Sequence, residues 1–287
     1  MNDDKKEVKK VGRLGIVANL FLLSMKFLGG LFFKSQALIA DAVNSFGDVF
    51  SSAVTLIGGK IAEKPEDEDH EFGHGKAEYV ASFLIGIFMI IVAFDTLYTS
   101  ISSVIQNRKF ELSYLLIAIP IITIIIKTML FIYAKHMGKK KHSLLISANA
   151  DDHRNDVLIS TGVLIGIIFG YYGYYFVDGI IGSIISIVIV ITGIKIATKA
   201  YDILIDKCID TNISEEVKAQ IMEFEGVNHI DTIKSKPTGD KHMLIVKISV
   251  DPNMTVSESH KIAGKIRDKL RQNEKIYDTI VHINPDE

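Results

Sequence analysis

Two pairs of oxygen-bearing side chains repeat one spacing. Asn44 and Asp48 are four residues apart, and so are Asp152 and Asp156. Residues four apart lie one turn apart on one face of an α-helix. Two such helices set side by side would bring three carboxylates and one amide to a point. Oxygen donors of that kind suit a hard divalent cation, because they neutralise its charge and fill its coordination shell. A competing reading pairs each acid with Lys26, Lys127 or Arg154, or makes it a helix cap, and Arg154 is well placed for Asp151. That reading gives no reason for one spacing to recur on two helices.

A second cluster stands in "PEDEDHEFGHGKAE", where His70 and His74 are four apart and preceded by acids. Gly73 and Gly75 disfavour a regular helix here, so the loop could wrap its side chains around an ion. Histidine is the commonest metal ligand and suits zinc and its neighbours. The alternative is a solvated acidic loop with incidental histidines. Further along, His229, His242, His260 and His282 either converge or lie scattered on a surface.

These residues need elements to hold them. Six apolar stretches, 14–33, 37–59, 79–105, 112–134, 144–170 and 175–198, each come near the roughly 20 residues that a membrane helix requires. Both four-residue pairs fall inside such stretches, the first in "DAVNSFGD" and the second in "ANADDHRNDV". Ionisable groups there are costly in lipid and are functional candidates by default. Lys5, Lys6, Lys9, Lys10 and Arg13 precede the first stretch, and Lys135, Lys139, Lys140 and Lys141 follow the fourth. The turn "GYYGYY" between the fifth and sixth carries no lysine or arginine. The positive-inside rule therefore expects a multi-pass protein with cytoplasmic N- and C-termini.

Residues 1–210 are expected to form the membrane domain and 211–287 a small cytoplasmic domain. "SEEVKAQIMEFEG" has a capping-box start at Ser214 and Gly226 at its end. "HIDTIKSKP", "HMLIVKISVDP" and "YDTIVHINP" alternate like strands, and "TVSESHKIAGKIRDKLRQ" has helical spacing. The order αββαβ predicts a two-layer α+β domain. The formal net charge of −2 implies no nucleic-acid partner, and the single cysteine, Cys208, excludes an intrachain disulfide framework.

Together, "ALIADAVNSFGDVFSS", "FGHGKAE", "NADDHRNDVLIST", "GVNHID", the "VDP" turn and "VHINP" resemble the cation diffusion facilitator family over nearly the whole chain. The resemblance implies six membrane helices, a ferredoxin-like cytoplasmic domain, and a homodimer in the cell membrane that moves divalent metal out of the cytoplasm in exchange for protons. It implies a transport site at Asn44, Asp48, Asp152 and Asp156, and a loop site at Asp67, His70 and His74. It also implies cytoplasmic ligands at His229, His260 and His282, and a charge interlock between Lys76 and Asp206 that serves the dimer. The chain departs from zinc-moving members in the cytoplasmic domain, where Lys247 replaces a histidine and Asn284 an aspartate. A protonated lysine is a poor ligand.

The transport site departs as well, since none of its four positions is a histidine. His153 is adjacent, but it points about 100° away from Asp152 on an ideal helix. Losing imidazole removes the ligand that most favours zinc, so the expected cargo is Mn2+, with Zn2+, Fe2+ and Cd2+ as alternatives and no organic cofactor. No enzymatic activity is expected. An intramembrane aspartyl protease would also place acids on adjacent helices, but its GxGD sequence is absent: "SFGD" has Ser45 where the first glycine belongs. A membrane metal sensor would bind the same ions without needing six spans.

Overall fold

The structure is a computed structural model and describes residues 2–62, 64–141, 144–239 and 241–286. Six long helices occupy the six apolar stretches: α1 (Asn2–Phe33), α2 (Gln36–Ala62), α3 (Ala77–Ile105), α4 (Tyr114–Lys141), α5 (Leu144–Tyr171) and α6 (Phe176–Leu204). Among the described residues, three helices are long and apolar enough to cross a membrane: Ala77–Ile105, Tyr114–Met137 and Phe176–Leu204. Val17–Phe33 is a shorter apolar helix, and α2 and α5 carry the acids. Large apolar side chains face outward along the helices, among them Phe21, Leu84, Ile91, Ile132, Leu158 and Ile191. A soluble monomer rarely exposes apolar surface on that scale, whereas lipid requires it.

The chain divides into two compact units, Met1–Ala53 with Leu84–Ile196, and Val54–Phe83 with Ala197–Glu287. In the first unit, α4 packs along α5 and against α1. The start of α2 is held by an acid on another helix. Asp178, in the first turn of α6, accepts the Ser35 hydroxyl at 2.6 Å and the backbone N–H of Gln36 at 2.6 Å. The first N–H groups of a helix have no partner within it, and a carboxylate there also meets the positive end of the helix dipole. One turn on, a Cβ at Gly182 would lie 3.0 Å from the Gln36 carbonyl carbon, so only glycine lets α6 approach this closely.

In the second unit, α7 (Thr211–Met222), β1 (His229–Pro237), β2 (His242–Val250), α8 (Val256–Leu270) and β3 (Ile276–Pro285) follow the expected αββαβ order. The sheet order is β1-β2-β3, with β1 antiparallel and β3 parallel to the central β2. The parallel pair is joined through α8, as a crossover requires. Leu244, Val246 and Ile248 alternate inward along β2 and pack with Val217, Ile221, Ile266 and Leu270 of the two helices. Thr255 and Glu258 form the capping box of α8. The start of α7 differs from expectation. Asp210, not Ser214, is its N-cap, accepting from Asn212 N at 2.9 Å, and the helix ends at Met222. Gly226 lies beyond the helix at φ +94°, a conformation that suits a residue without a Cβ. Both Asp210 and Ser214 are good caps by residue type, and the earlier one wins by adding a turn of helix.

Candidate functional site

The membrane acids lie on facing turns of α2 and α5. Ser160 donates to Asp41 Oδ2 at 2.9 Å, and Asn44 Nδ2 donates to Asp156 Oδ1 at 3.2 Å. Partners rise along one helix as they fall along the other, so α2 and α5 run antiparallel. Asp48, one turn on from Asn44, lies in the field of Asp156, Lys127, Asp152 and Lys26. Exposure rises along this ladder. Asp41 and Asp156 are buried, Asn44 and Asp48 half-buried, and Asp152 exposed. The exposed end of the ladder is thus the N-terminal end of α5.

Two lysines reach into the ladder from neighbouring helices. Lys26 of α1 donates to Asp41 Oδ1 at 2.7 Å and to Ser45 Oγ at 2.9 Å. Lys127 of α4 donates to Asn19 Oδ1 at 2.7 Å and to Asp156 Oδ2. Both ammonium groups are buried. The ion-pair reading of the sequence is therefore met at Asp41 and Asp156, and at Asp151, where Arg154 pairs at 3.1 Å on the surface. His153 is buried, with its Nδ1 unpartnered among the described residues, in the field of Lys127 and Asp156.

Sequence reasoning did not assign Asn19, Ser45, Ser160 or Asp178. A signal existed for Asn19 and Lys26, which are seven apart on one face of α1, and for Ser160, one turn beyond Asp156. Asp178 reads as an ordinary first-turn acid, which conceals that it serves α2.

The loop brings together one ligand atom each from Asp67, His70 and His74, all within 4.8 Å of one another. Asp67 organises it. Its Oδ1 accepts from the backbone N–H of His70 at 2.7 Å and of Asp69 at 3.2 Å, and stands 3.1 Å from His70 Nδ1. Its Oδ2 is 3.3 Å from His74 Nε2. Gly73, at φ +71°, turns the chain between the two histidines. Desolvation works against the Asp67 charge, but the hydrogen bonds from His70 and the charges of His74 and His70 hold its carboxyl below the usual carboxylate range. Among the described residues no other group of three such side chains closes to this distance.

After the loop, Lys76 Nζ pairs with Asp206 Oδ1 at 2.7 Å, and Lys236 approaches Asp206 Oδ2 at 3.8 Å. First the Lys76 hydrogen bond and then its charge hold the Asp206 carboxyl low. A carboxylate depressed by folding adds stability above its unfolded pKa and loses it as pH falls through the folded value. Both side chains are over a third exposed, so Lys76→Ala should cost roughly 0–1 kcal/mol at neutral pH and nothing in strong acid. Thermal unfolding at the two pH values checks this.

In the sheet, His229 Nε2 lies 2.9 Å from Asp231 Oδ1, and Asp231 also accepts from Asn284 at 2.8 Å and Ser249 at 2.9 Å. His282 stands beside Lys247 in the β2–β3 register. His229, His260 and His282 are not drawn into one tight ligand group within this single chain.

Comparison with known proteins agrees with these features. Residues 13–205 match the cation efflux transmembrane domain, and residues 209–286 match the cation efflux protein cytoplasmic domain. The manganese efflux system protein MneP of Bacillus subtilis is 32% identical over 96% of this chain and 96% of its own. MneS, a second manganese efflux system protein of that organism, is 28% identical over 99% and 97%. The magnetosome protein MamB of Magnetospirillum gryphiswaldense is 28% identical over 88% and 86%.

Proposed function

This chain belongs to the cation efflux family, and from that premise we propose that it exports divalent manganese from the cytoplasm across the cell membrane in exchange for protons. The observation that supports the reading is the contact of Asn44 on α2 with Asp156 on α5, with Asp48 in the field of Asp156, Lys127 and Asp152. The three carboxylates and one amide at these positions form an all-oxygen set, which removes the imidazole that favours zinc. Relatives named for manganese efflux span nearly the whole chain.

In mechanism, an incoming ion meets Asp152 and Asp48 first and then reaches Asp156 and Asn44. Without the ion, three carboxylates in a low-dielectric cavity repel one another, which favours taking up protons in its place. Metal and protons then compete for the same oxygens. A site that opens alternately to each face turns that competition into exchange, and an inward proton gradient drives metal out.

In this reading residues 1–210 are a six-span transport domain and 211–287 a cytoplasmic domain, with both termini in the cytoplasm. The protein works as a homodimer, in keeping with the match to the family's cytoplasmic domain. Asp67, His70 and His74 form an accessory loop site, and His229, His260 and His282 supply cytoplasmic ligands. Lys76 and Asp206 serve as a charge interlock beside the dimer hinge.

The test is uptake of manganese, zinc, iron and cadmium into proteoliposomes under an imposed pH gradient. Asn44→His should raise zinc transport and lower manganese transport, and adding Asp152→His should complete the shift. If both variants keep the parental manganese-to-zinc ratio at matched free metal, ligand chemistry does not set the cargo. The function then reduces to export of a divalent cation.

A further inference from the structure

We propose that Lys26, Asp41 and Ser160 form the outer plug of the transport path. This polar layer seals the α2–α5 seam on the side away from Asp152 and parts when the site turns to that side. The proposal rests on the reading above that the ion passes between α2 and α5.

The layer is next in line after the proposed ligands. Asp41 stands three residues before Asn44 on α2, and Ser160 stands one turn beyond Asp156 on α5. They meet across the seam, where Ser160 donates to Asp41 Oδ2 at 2.9 Å. Lys26 of α1 closes a third side, donating to Asp41 Oδ1 at 2.7 Å and to Ser45 Oγ at 2.9 Å. All three side chains are fully buried, and burial continues outward through Leu38 on α2 and Val163 and Ile167 on α5. At the other end of the ladder Asp152 is exposed. The seam is therefore open on the Asp152 side and shut at this layer. An ion leaving by the far side needs Asp41 and Ser160 to part.

The chemistry of the layer suits a contact that breaks and re-forms. A buried ion pair gives little net stability compared with well-packed apolar groups, because taking two charges out of water is costly. Opening the layer returns that cost, since water then solvates the ammonium, the carboxylate and the hydroxyl. An apolar plug gains nothing from water and resists opening. The division of contacts fits the same role. The Ser160–Asp41 hydrogen bond crosses the seam, whereas Lys26 joins α1 to α2 and can stay on Asp41 as α5 moves away.

The test reads opening and transport separately. Cys208, the native exposed thiol, is changed to serine, and Val163→Cys places a probe just outside the plug. A membrane-impermeant maleimide is applied to proteoliposomes, and pH-driven Mn2+ uptake is measured on unlabelled samples. Ser160→Ala leaves one buried oxygen of Asp41 without its donor, which penalises the closed layer but not the hydrated one. Labelling should then quicken by at least about five-fold. Lys26→Met with Asp41→Leu makes the plug apolar, so opening must expose both side chains to water. Labelling should not quicken, and the maximal rate should fall at least about ten-fold while KM changes little. A merely structural layer would alter the yield of folded protein but neither the labelling rate nor the uptake rate per folded molecule. Unchanged labelling in Ser160→Ala overturns the proposal, and so does a parental maximal rate in the double variant. If the double variant does not fold, labelling of Ser160→Ala decides alone. If the native chain takes up no divalent ion, the transport reading fails and the plug with it. If it transports while labelling stays unmoved, only the plug fails.

Discussion

Asp156→Asn is expected to abolish proton-driven manganese uptake, with a loss well beyond about 100-fold, and also to destabilise the empty protein. Under the proposed function, the loss of transport follows from removing a charged ligand that also takes up a proton. The loss of stability has a separate cause, because Lys127 is buried and asparagine would leave its ammonium without a counter-charge. Removing one partner of a buried ion pair typically costs about 3–5 kcal/mol. Asparagine retains a carbonyl acceptor, and Asn19 still holds the ammonium, so the lower end of that range is expected.

Asp48→Asn should abolish transport to the same degree but leave stability unchanged or slightly raised. Asp48 stands in the field of Asp156 and Asp152 but also of Lys127 and Lys26, so the repulsion relieved and the attraction lost largely offset one another. Uptake assays and thermal unfolding in detergent on the same two variants check both statements. Retained uptake in either variant would sink the site assignment. Equal unfolding temperatures would contradict the buried Lys127–Asp156 pair.

The second large effect is expected at Lys26 and Asp41, whose side chains are both fully buried. Asp41→Leu leaves Lys26 with only the Ser45 hydroxyl and Ser160 without its acceptor. The expected cost is about 3–5 kcal/mol, large beside the ±0.5 of an ordinary surface change. Combining Lys26→Met with Asp41→Leu should recover most of that loss, because two apolar groups replace a pair whose desolvation was never cheap. A double-mutant cycle on unfolding in detergent measures the coupling. Simple additivity of the two single changes would show that the pair does not act as a unit. Transport by the double variant adds a second readout. The Lys26–Asp41–Ser160 layer lies beyond the proposed metal ligands, on the side away from Asp152, so altering it should change the rate of exchange more than the choice of ion.

Much of this protein was legible because it depends on local periodicity. The four-residue spacing places Asn44 with Asp48, and Asp152 with Asp156, on single helical faces whatever the helices pack against. Thr255 and Glu258 announce the start of α8, and period-two alternation announces β2. His70 and His74, with acids before them in one glycine-bearing loop, were also readable, while the family resemblance singled out Asp67 among those acids and the structure places it beside both histidines. What the sequence could not settle is which distant partner each group takes. Lys26 and Lys127 were both visible as buried cations, but assigning one to Asp41 and the other to Asp156 required the order in which α1 and α4 flank the α2–α5 ladder. Asp178 satisfies the start of α2 across 142 residues of sequence, which no local pattern can encode. The physical reason is the same in each case. Helix periodicity fixes the face on which a side chain stands, within a few residues of chain. Only the packing of whole helices brings two faces within the roughly 3 Å over which a buried charge can be satisfied.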